Sequence, residues 1–231
     1  MFLRSCILLL AAATLAPAIT IFSEDFNDVA ALPGAGWVIK NNSAPVGSTS
    51  WFQGNAFPAH AGAANSYVGA NFNAAGSGGT ISLWLITPQV TIDNNSALSF
   101  FTRTADPTIA ADRLQVRFSL AGTDVGSTEN SVGDFFTLGI DINPSLDLVS
   151  YPRSWTQVVL SFAGLPGPTP VHIAFRYFVT DSGPNGNNGD YIGIDSLVID
   201  NGVANSVPEP STFLTMAAPL AFAFYLRRRR A

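Results

Sequence analysis

Cysteine is nearly absent from this sequence, since Cys6 is the only one among 231 residues. It precedes an apolar run near the N-terminus, so removal of that N-terminal segment would leave a chain with no cysteine. Such a chain cannot form the disulfides that stabilise many small exported domains. Stability must therefore come from a hydrophobic core, alone or together with a metal ion.

Histidine is scarce as well, with only His60 and His172, and catalytic signatures are missing. The sequence has no HExxH, no CxxC and no phosphate-binding loop, and segment 75–79 lacks the first glycine of a nucleophile elbow. Neither histidine has an identifiable catalytic partner, so we interpret both as solvated surface residues. The sequence favours a protein that is not an enzyme. A glycan hydrolase built on paired carboxylates is a weaker alternative.

Basic residues are few between the two ends of the chain. Removing Arg4, the four terminal arginines and Glu209 from the totals of 11 basic and 16 acidic residues leaves 6 and 15, a net charge near −9. Such a surface argues against nucleic acid and anionic membranes as partners. It is compatible with divalent cations and uncharged glycans.

The N-terminal 18 residues have the order of a secretory signal peptide. Arg4 supplies a positive charge, residues 7–15 form an apolar run, and Ala16 and Ala18 supply small residues for cleavage after position 18. The run is shorter than the roughly 20 residues that a membrane-spanning helix needs. An uncleaved N-terminal anchor is the alternative.

The C-terminal segment predicts a hydrophobic helix followed by a stop-transfer cluster. Residues 212–226 are apolar, and Arg227, Arg228, Arg229 and Arg230 follow them directly. Arginines beside a membrane span stay on the cytoplasmic side, so the rest of the chain is expected outside. The 15 residues cover roughly 22 Å as a helix, short of a hydrocarbon core of about 30 Å. A transient span tolerates that shortfall better than a permanent one.

Pro208, Glu209 and Pro210, with the apolar segment and the arginines after them, resemble the PEP-CTERM sorting signal of Gram-negative bacteria. The resemblance implies an inner-membrane precursor whose tail, residues 208–231, is removed by an exosortase-type protease. It also implies an association with exopolysaccharide and biofilm. An ordinary single-pass anchor is the alternative. Residues 203–207 are predicted to form a linker.

Period-two alternation runs through residues 19–202 and predicts one all-β domain. Leu114, Val116 and Phe118 alternate with polar residues, and in segment 171–177 the alternation places His172 and Arg176 on the polar face. About ten strands separated by Gly, Asn and Pro turns favour an antiparallel two-sheet sandwich of the jelly-roll type. The predicted strands are 20–26, 37–39, 67–72, 80–87, 97–103, 113–120, 135–141, 155–162, 171–177 and 191–199.

Several motifs resemble the choice-of-anchor J domain, a relative of cleaved-adhesin and MAM-like jelly rolls. They are Phe22–Phe26, Gly36-Trp37, Ser50-Trp51-Phe52, Trp84–Pro88 and Gly189–Asp195. The resemblance implies a surface location and the jelly-roll fold, and it leaves the biochemical role open.

Glu24, Asp25 and Asp195 are candidate ligands for a structural calcium ion. The first two lie in the first predicted strand and the third in an otherwise apolar last strand, and these strands tend to lie close together in jelly rolls. Carboxylates and carbonyls are the hard oxygen ligands that Ca²⁺ prefers, and the related domains carry such ions. The alternative is an Asp195 satisfied by backbone amides or by a nearby arginine.

These features predict an exported surface or extracellular-matrix protein, associated with exopolysaccharide and without enzymatic activity. A carbohydrate-binding module is the alternative, which coplanar exposed aromatic rings on one sheet would favour. Facing carboxylates in a cleft would favour the glycan hydrolase instead.

Overall fold

The computed structural model describes residues 18–201. The predicted linker, sorting signal and hydrophobic helix, and all of the signal peptide except Ala18, lie outside these residues and stay predictions. Within residues 18–201, no helix is long and apolar enough to cross a membrane. The domain contains thirteen strands, namely β1 (Ile19–Glu24), β2 (Val38–Asn41), β3 (Ala44–Val46), β4 (Phe52–Gln53), β5 (Val68–Asn71), β6 (Ala75–Ile86), β7 (Val90–Ile92), β8 (Ser96–Thr104), β9 (Leu114–Ser119), β10 (Thr137–Ile142), β11 (Thr156–Ser161), β12 (Thr169–Ser182) and β13 (Tyr191–Asn201).

The strands form two antiparallel sheets. The first sheet has the order β11-β8-β13-β5-β4, with β1 also paired to β13. The second has the order β10-β9-β12-β6-β2, with β3 paired to β6 and β7 to β12. The predicted all-β sandwich of the jelly-roll type is confirmed.

Alternation along the strands builds the core between the sheets. Leu114 and Val116 in β9 and Ile173 and Phe175 in β12 point inward and are fully buried. Phe175 meets Phe100 of β8 edge-on, with ring centroids 5.0 Å apart. Apolar residues from both sheets thus share one core, the main source of stability in a chain without disulfides.

All ten predicted strands are present, with bounds that differ by a few residues. The alternation did not reveal β3, β4 and β7, because strands of two or three residues are too short for a period to be visible. Two short 3₁₀ helices, Val29–Ala35 and Phe72–Ala74, join the strands.

The polar face predicted for β12 points away from the core, yet Arg176 on that face is only 2% exposed. The connection between β9 and β10, residues 120–136, covers this face and packs Val125 and Phe135 against Trp84. The Arg176 guanidinium donates to the Ser82 hydroxyl and to the Glu129 carbonyl, and lies 4.7 Å from the Trp84 ring centroid. Burial and the neighbouring Arg117 and Arg113 lower the Arg176 pKa to about 9.

Candidate functional site

An aromatic cluster covers the outer face of the first sheet. Tyr67 lies just before β5, which pairs with β13 so that Val68 is opposite Ile194. Phe57 stacks on Tyr67 with ring centroids 5.0 Å apart. Trp155 meets both Phe57 and Tyr67 edge-on, at 5.5 Å from each. A Cβ at Gly193 would lie only 2.9 Å from Trp155 and 3.0 Å from Phe57, so this strand position must be glycine for the rings to lie so close.

The loop that carries Phe57 is fastened to the sheet by hydrogen bonds. The Trp155 indole donates to the Pro58 carbonyl at 2.9 Å, and the Tyr67 hydroxyl accepts from the Ala56 amide at 2.8 Å. The Arg103 guanidinium lies 4.2 Å from the Phe57 ring centroid, a cation–π contact. This loop, residues 54–66, is therefore held as a fixed part of the domain surface.

Asp195 holds the other end of the same loop. Its Oδ2 accepts from the His60 and Ala61 amides at 2.8 and 3.1 Å, and its Oδ1 accepts from the Ser196 amide at 2.6 Å. The side chain is fully buried, and burial raises the Asp195 pKa while the amide donors oppose that rise. Backbone amides therefore satisfy the Asp195 carboxylate, which is the alternative that the sequence analysis left open.

The candidate calcium ligands are only partly brought together. The first and last strands do pair, and Glu24 lies opposite Leu197, two residues beyond Asp195. However, the Glu24 carboxylate accepts from the Phe26 amide at 2.8 Å, and Asp25 is exposed. Within residues 18–201 no three His, Cys, Asp or Glu side chains are grouped as a metal site. Both oxygens of Asp195 accept backbone N–H donors, and calcium binding by Glu24, Asp25 and Asp195 stays a prediction.

Two cavities adjoin the aromatic cluster along residues 48–58 and Asn71, a region that we call the rim, and a third cavity borders it. The first, of about 370 Å³, is lined by Ser48, Thr49, Ser50, Phe52, Asn55 and Asn71. The second, of about 420 Å³, shares Asn55 with it and includes Phe57. The third, also of about 420 Å³, shares Phe52 with the first.

The first cavity presents polar groups that have no partner inside the domain. Among the contacts of residues 18–201, the side chains of Ser48, Ser50 and Asn55 make no hydrogen bond. Asn71 Oδ1 accepts from the Thr49 hydroxyl at 2.9 Å, and its amide nitrogen is left without an acceptor there. Hydroxyl and amide groups can both donate and accept, so this cavity suits a ligand rich in hydroxyls.

Phe52 supplies the apolar wall of the first cavity. Its half-buried ring packs edge-on against Tyr191 at 5.8 Å between centroids, which fixes its orientation. The linings of the first and second cavities contain no charged side chain. An aromatic wall beside uncharged hydrogen-bonding groups is complementary to an uncharged sugar ring, which has apolar C–H faces and polar edges.

Sequence reasoning missed the rim, apart from Ser50 and Phe52 in a motif of the resemblance. Coplanar exposed rings on one sheet were expected to favour a carbohydrate-binding module. The stacked rings of Phe57 and Tyr67 do not form such a platform, because Tyr67 beneath Phe57 is fully buried. Of the four tryptophans, Trp37, Trp51 and Trp84 are buried, and Trp155 is half-buried. Only the Asn, Ser and Thr richness of segment 48–55 hinted at a polar site.

A buried network surrounds Asp112 beside the start of β13. Its Oδ1 accepts from the Tyr177 hydroxyl at 2.5 Å and from the Asp190 amide at 2.9 Å, and its Oδ2 accepts from the Thr104 hydroxyl at 2.6 Å. Burial raises the Asp112 pKa to about 6 despite these donors. The network ties β8 and β12 to the start of β13.

No family model matches the sequence, and no curated protein matches it. Among solved structures, the chain is similar to cleaved adhesin domains of Lys-gingipain from Porphyromonas gingivalis. For the K3 domain the identity is 20%, 80% of this chain and 100% of that domain are covered, and the TM-score is 0.54. For the K1 domain the identity is 24%, the coverage 77% and 96%, and the TM-score 0.53. The predicted relation to adhesin-type jelly rolls thus holds at the level of the fold.

Proposed function

We propose that this chain is an exported, non-enzymatic protein of the cell surface or extracellular matrix that adheres by binding an uncharged glycan at the rim. The rim is the observation that carries the proposal. It combines the fixed Phe52 ring with the unpartnered side chains of Ser48, Ser50 and Asn55. A net charge near −9 repels acidic polysaccharides, so a neutral polymer is the preferred ligand.

Export and sorting complete the proposal. The N-terminal signal delivers the chain across the inner membrane, and the segment after Pro208 holds the precursor there. An exosortase-type protease then removes the tail near Pro210 and releases the domain to the exopolysaccharide matrix. The arrangement of the tripeptide, the apolar segment and the four arginines supports this route.

A glycan array probed with the 19–205 fragment tests the binding. We expect the hits to be uncharged oligosaccharides. For the best of them, Phe52→Ala should weaken binding by about two- to twelvefold, because losing an aromatic contact costs about 0.5–1.5 kcal/mol and 1.4 kcal/mol is a factor of ten. Asn55→Ala should also weaken it.

Two matched variants serve as controls. Phe136→Ala removes an aromatic side chain that is 73% exposed just before β10, and Asn95→Ala removes an exposed amide in the turn before β8. Both should bind like the wild type. Equal losses in the Phe52 and Phe136 variants would mean that the rim is not the binding site, and binding only to acidic glycans would contradict the proposed ligand.

A further inference from the structure

The third cavity, which borders the rim, lies at the free edge of the first sheet. Among the described strands, β4 is the last in the order of that sheet and pairs only with β5. The Gly54 amide donates to the Tyr67 carbonyl at 2.8 Å, and the next pair along the ladder is Gln53 with Val68. Hydrogen-bonded and non-hydrogen-bonded pairs alternate in an antiparallel ladder, so the Gln53 amide and carbonyl point away from β5, toward the free edge.

The lining of the third cavity combines apolar side chains with a free carboxylate oxygen. Val29, Pro33 and Ile39 supply the apolar part. Asp28 caps the first 3₁₀ helix through its Oδ1, which accepts from the Ala30 amide at 3.1 Å. Its Oδ2 makes no hydrogen bond among the contacts of residues 18–201. An ionised carboxylate is a strong acceptor for hydroxyl groups, so this cavity also suits a sugar ring with apolar faces and polar edges.

The three cavities form a continuous row, because neighbouring cavities share a side chain. Phe52 lines the third and the first cavity, and Asn55 lines the first and the second. The order along the row is therefore third, first and second, with the Phe52 ring at the junction of the third and the first. A ligand that contacts all three cavities must be elongated.

Both ends of the row are open to solvent. Ala30 and Pro33 are exposed in the lining of the third cavity, and Pro58 and Asn65 are exposed in the lining of the second. An elongated ligand can therefore continue past either end. Such a row suits an internal segment of a polymer better than the end of a chain.

We propose that the row binds an internal segment of a linear, uncharged polysaccharide, with at least one sugar unit in each of the three cavities. The third cavity is then a subsite in which Asp28 accepts from sugar hydroxyls. This inference rests on the proposed binding of an uncharged glycan at the rim, and it adds the length and shape of the ligand. An acidic sugar would be repelled by the Asp28 carboxylate, so the unit in this subsite must be uncharged.

Calorimetric titration with oligosaccharides of increasing length tests the inference. The 19–205 fragment, which holds both sheets and the core between them, is titrated with the disaccharide to the hexasaccharide of the best uncharged polymer from the array. A disaccharide is too short to occupy three cavities, so the hexasaccharide should bind the wild type more tightly than the disaccharide does. Ala30→Leu places an aliphatic side chain in the third cavity and should remove this gain, while the affinity for the disaccharide changes by less than about twofold. The matched control is Ala31→Leu, which changes an exposed residue of the same helix outside the lining and should keep the gain.

Asp28→Asn gives an independent readout, because asparagine is also a good N-cap and the change removes the charge. It should weaken binding of the hexasaccharide about fivefold, which corresponds to about 1 kcal/mol, the difference between a hydrogen bond to a charged group and one to a neutral group. A hexasaccharide that binds no more tightly than the disaccharide, or that keeps its gain in Ala30→Leu, would overturn the inference and leave glycan binding at the rim intact. Failure of every uncharged oligosaccharide to bind would overturn the proposed function and this inference together.

Discussion

Asp112 makes the stability of the domain depend on pH in an unusual direction. The carboxyl is fully buried, and its pKa rises from 3.8 to about 6 in the folded state. A folded protein that binds this proton more tightly than the unfolded chain is most stable when the proton is bound. The Asp112 contribution is therefore complete below about pH 4 and is lost as the pH rises through about 6.

The magnitude follows from the two pKa values. Their difference corresponds to about 3 kcal/mol, at 1.36 kcal/mol for each pKa unit. For a domain of this size, 1 kcal/mol shifts the melting temperature by about 2–4 °C. About one third of this contribution is already lost at pH 4.5, above the unfolded pKa, so ionisation of Asp112 removes about 2 kcal/mol between pH 4.5 and pH 7.5 and should lower the melting temperature by about 4–8 °C.

Asp112→Asn isolates this contribution from the other carboxylates. The asparagine oxygen can still accept from Tyr177 and the Asp190 amide, and its amide nitrogen can donate to the Thr104 hydroxyl, which then accepts. Calorimetry of both proteins across this pH range measures the difference. The variant should lose most of the pH dependence and melt no lower than the wild type at pH 7.5. Parallel pH profiles for the two proteins would refute the reasoning.

Three other predictions concern calcium, sorting and packing. If Glu24, Asp25 and Asp195 bind calcium, millimolar calcium should raise the melting temperature by a few degrees and Asp195→Ala should remove the rise, whereas equal melting temperatures in calcium and in chelator would mean that the amide donors alone satisfy Asp195. Mass spectrometry of the native surface protein should find a C-terminus near Pro210, and replacing the four terminal arginines should block release; an intact Arg230 on the surface form would contradict sorting by cleavage. Gly54→Ala should destabilise the domain by about 1–3 kcal/mol in chemical denaturation because its Cβ would overlap the Tyr67 ring, while Gly34→Ala, with open space around its Cβ, should not.

The fold could be predicted because its long strands carry a clear period. In β9 the alternation of Leu114, Val116 and Phe118 with polar residues identified both the strand and its inward face. The same rule placed Arg176 on the outward face of β12, which is correct. It could not show that residues 120–136 cover that face, because this depends on contacts between distant segments.

The rim could not be predicted for the same physical reason. Ser48 and Asn71 are 23 residues apart, and they line one cavity only because β4 pairs with β5 beside them. The pairing involves only Phe52 and Gln53 of β4, too short a strand for any sequence period to reveal. Asp195 stood out in the sequence as an acid in an otherwise apolar strand, but its amide partners could not be foreseen, because they come from a loop 134 residues earlier.

Glycan binding at the rim is tested most directly by nuclear magnetic resonance of the isotope-labelled 19–205 fragment during titration with the best uncharged oligosaccharide from the array. The account predicts that the amide shifts concentrate on residues 48–55 and Asn71, and that Phe52→Ala suppresses them at the same ligand concentration. Shifts centred on residues 120–136 of the second sheet, or shifts that persist unchanged in the Phe52 variant, would contradict it.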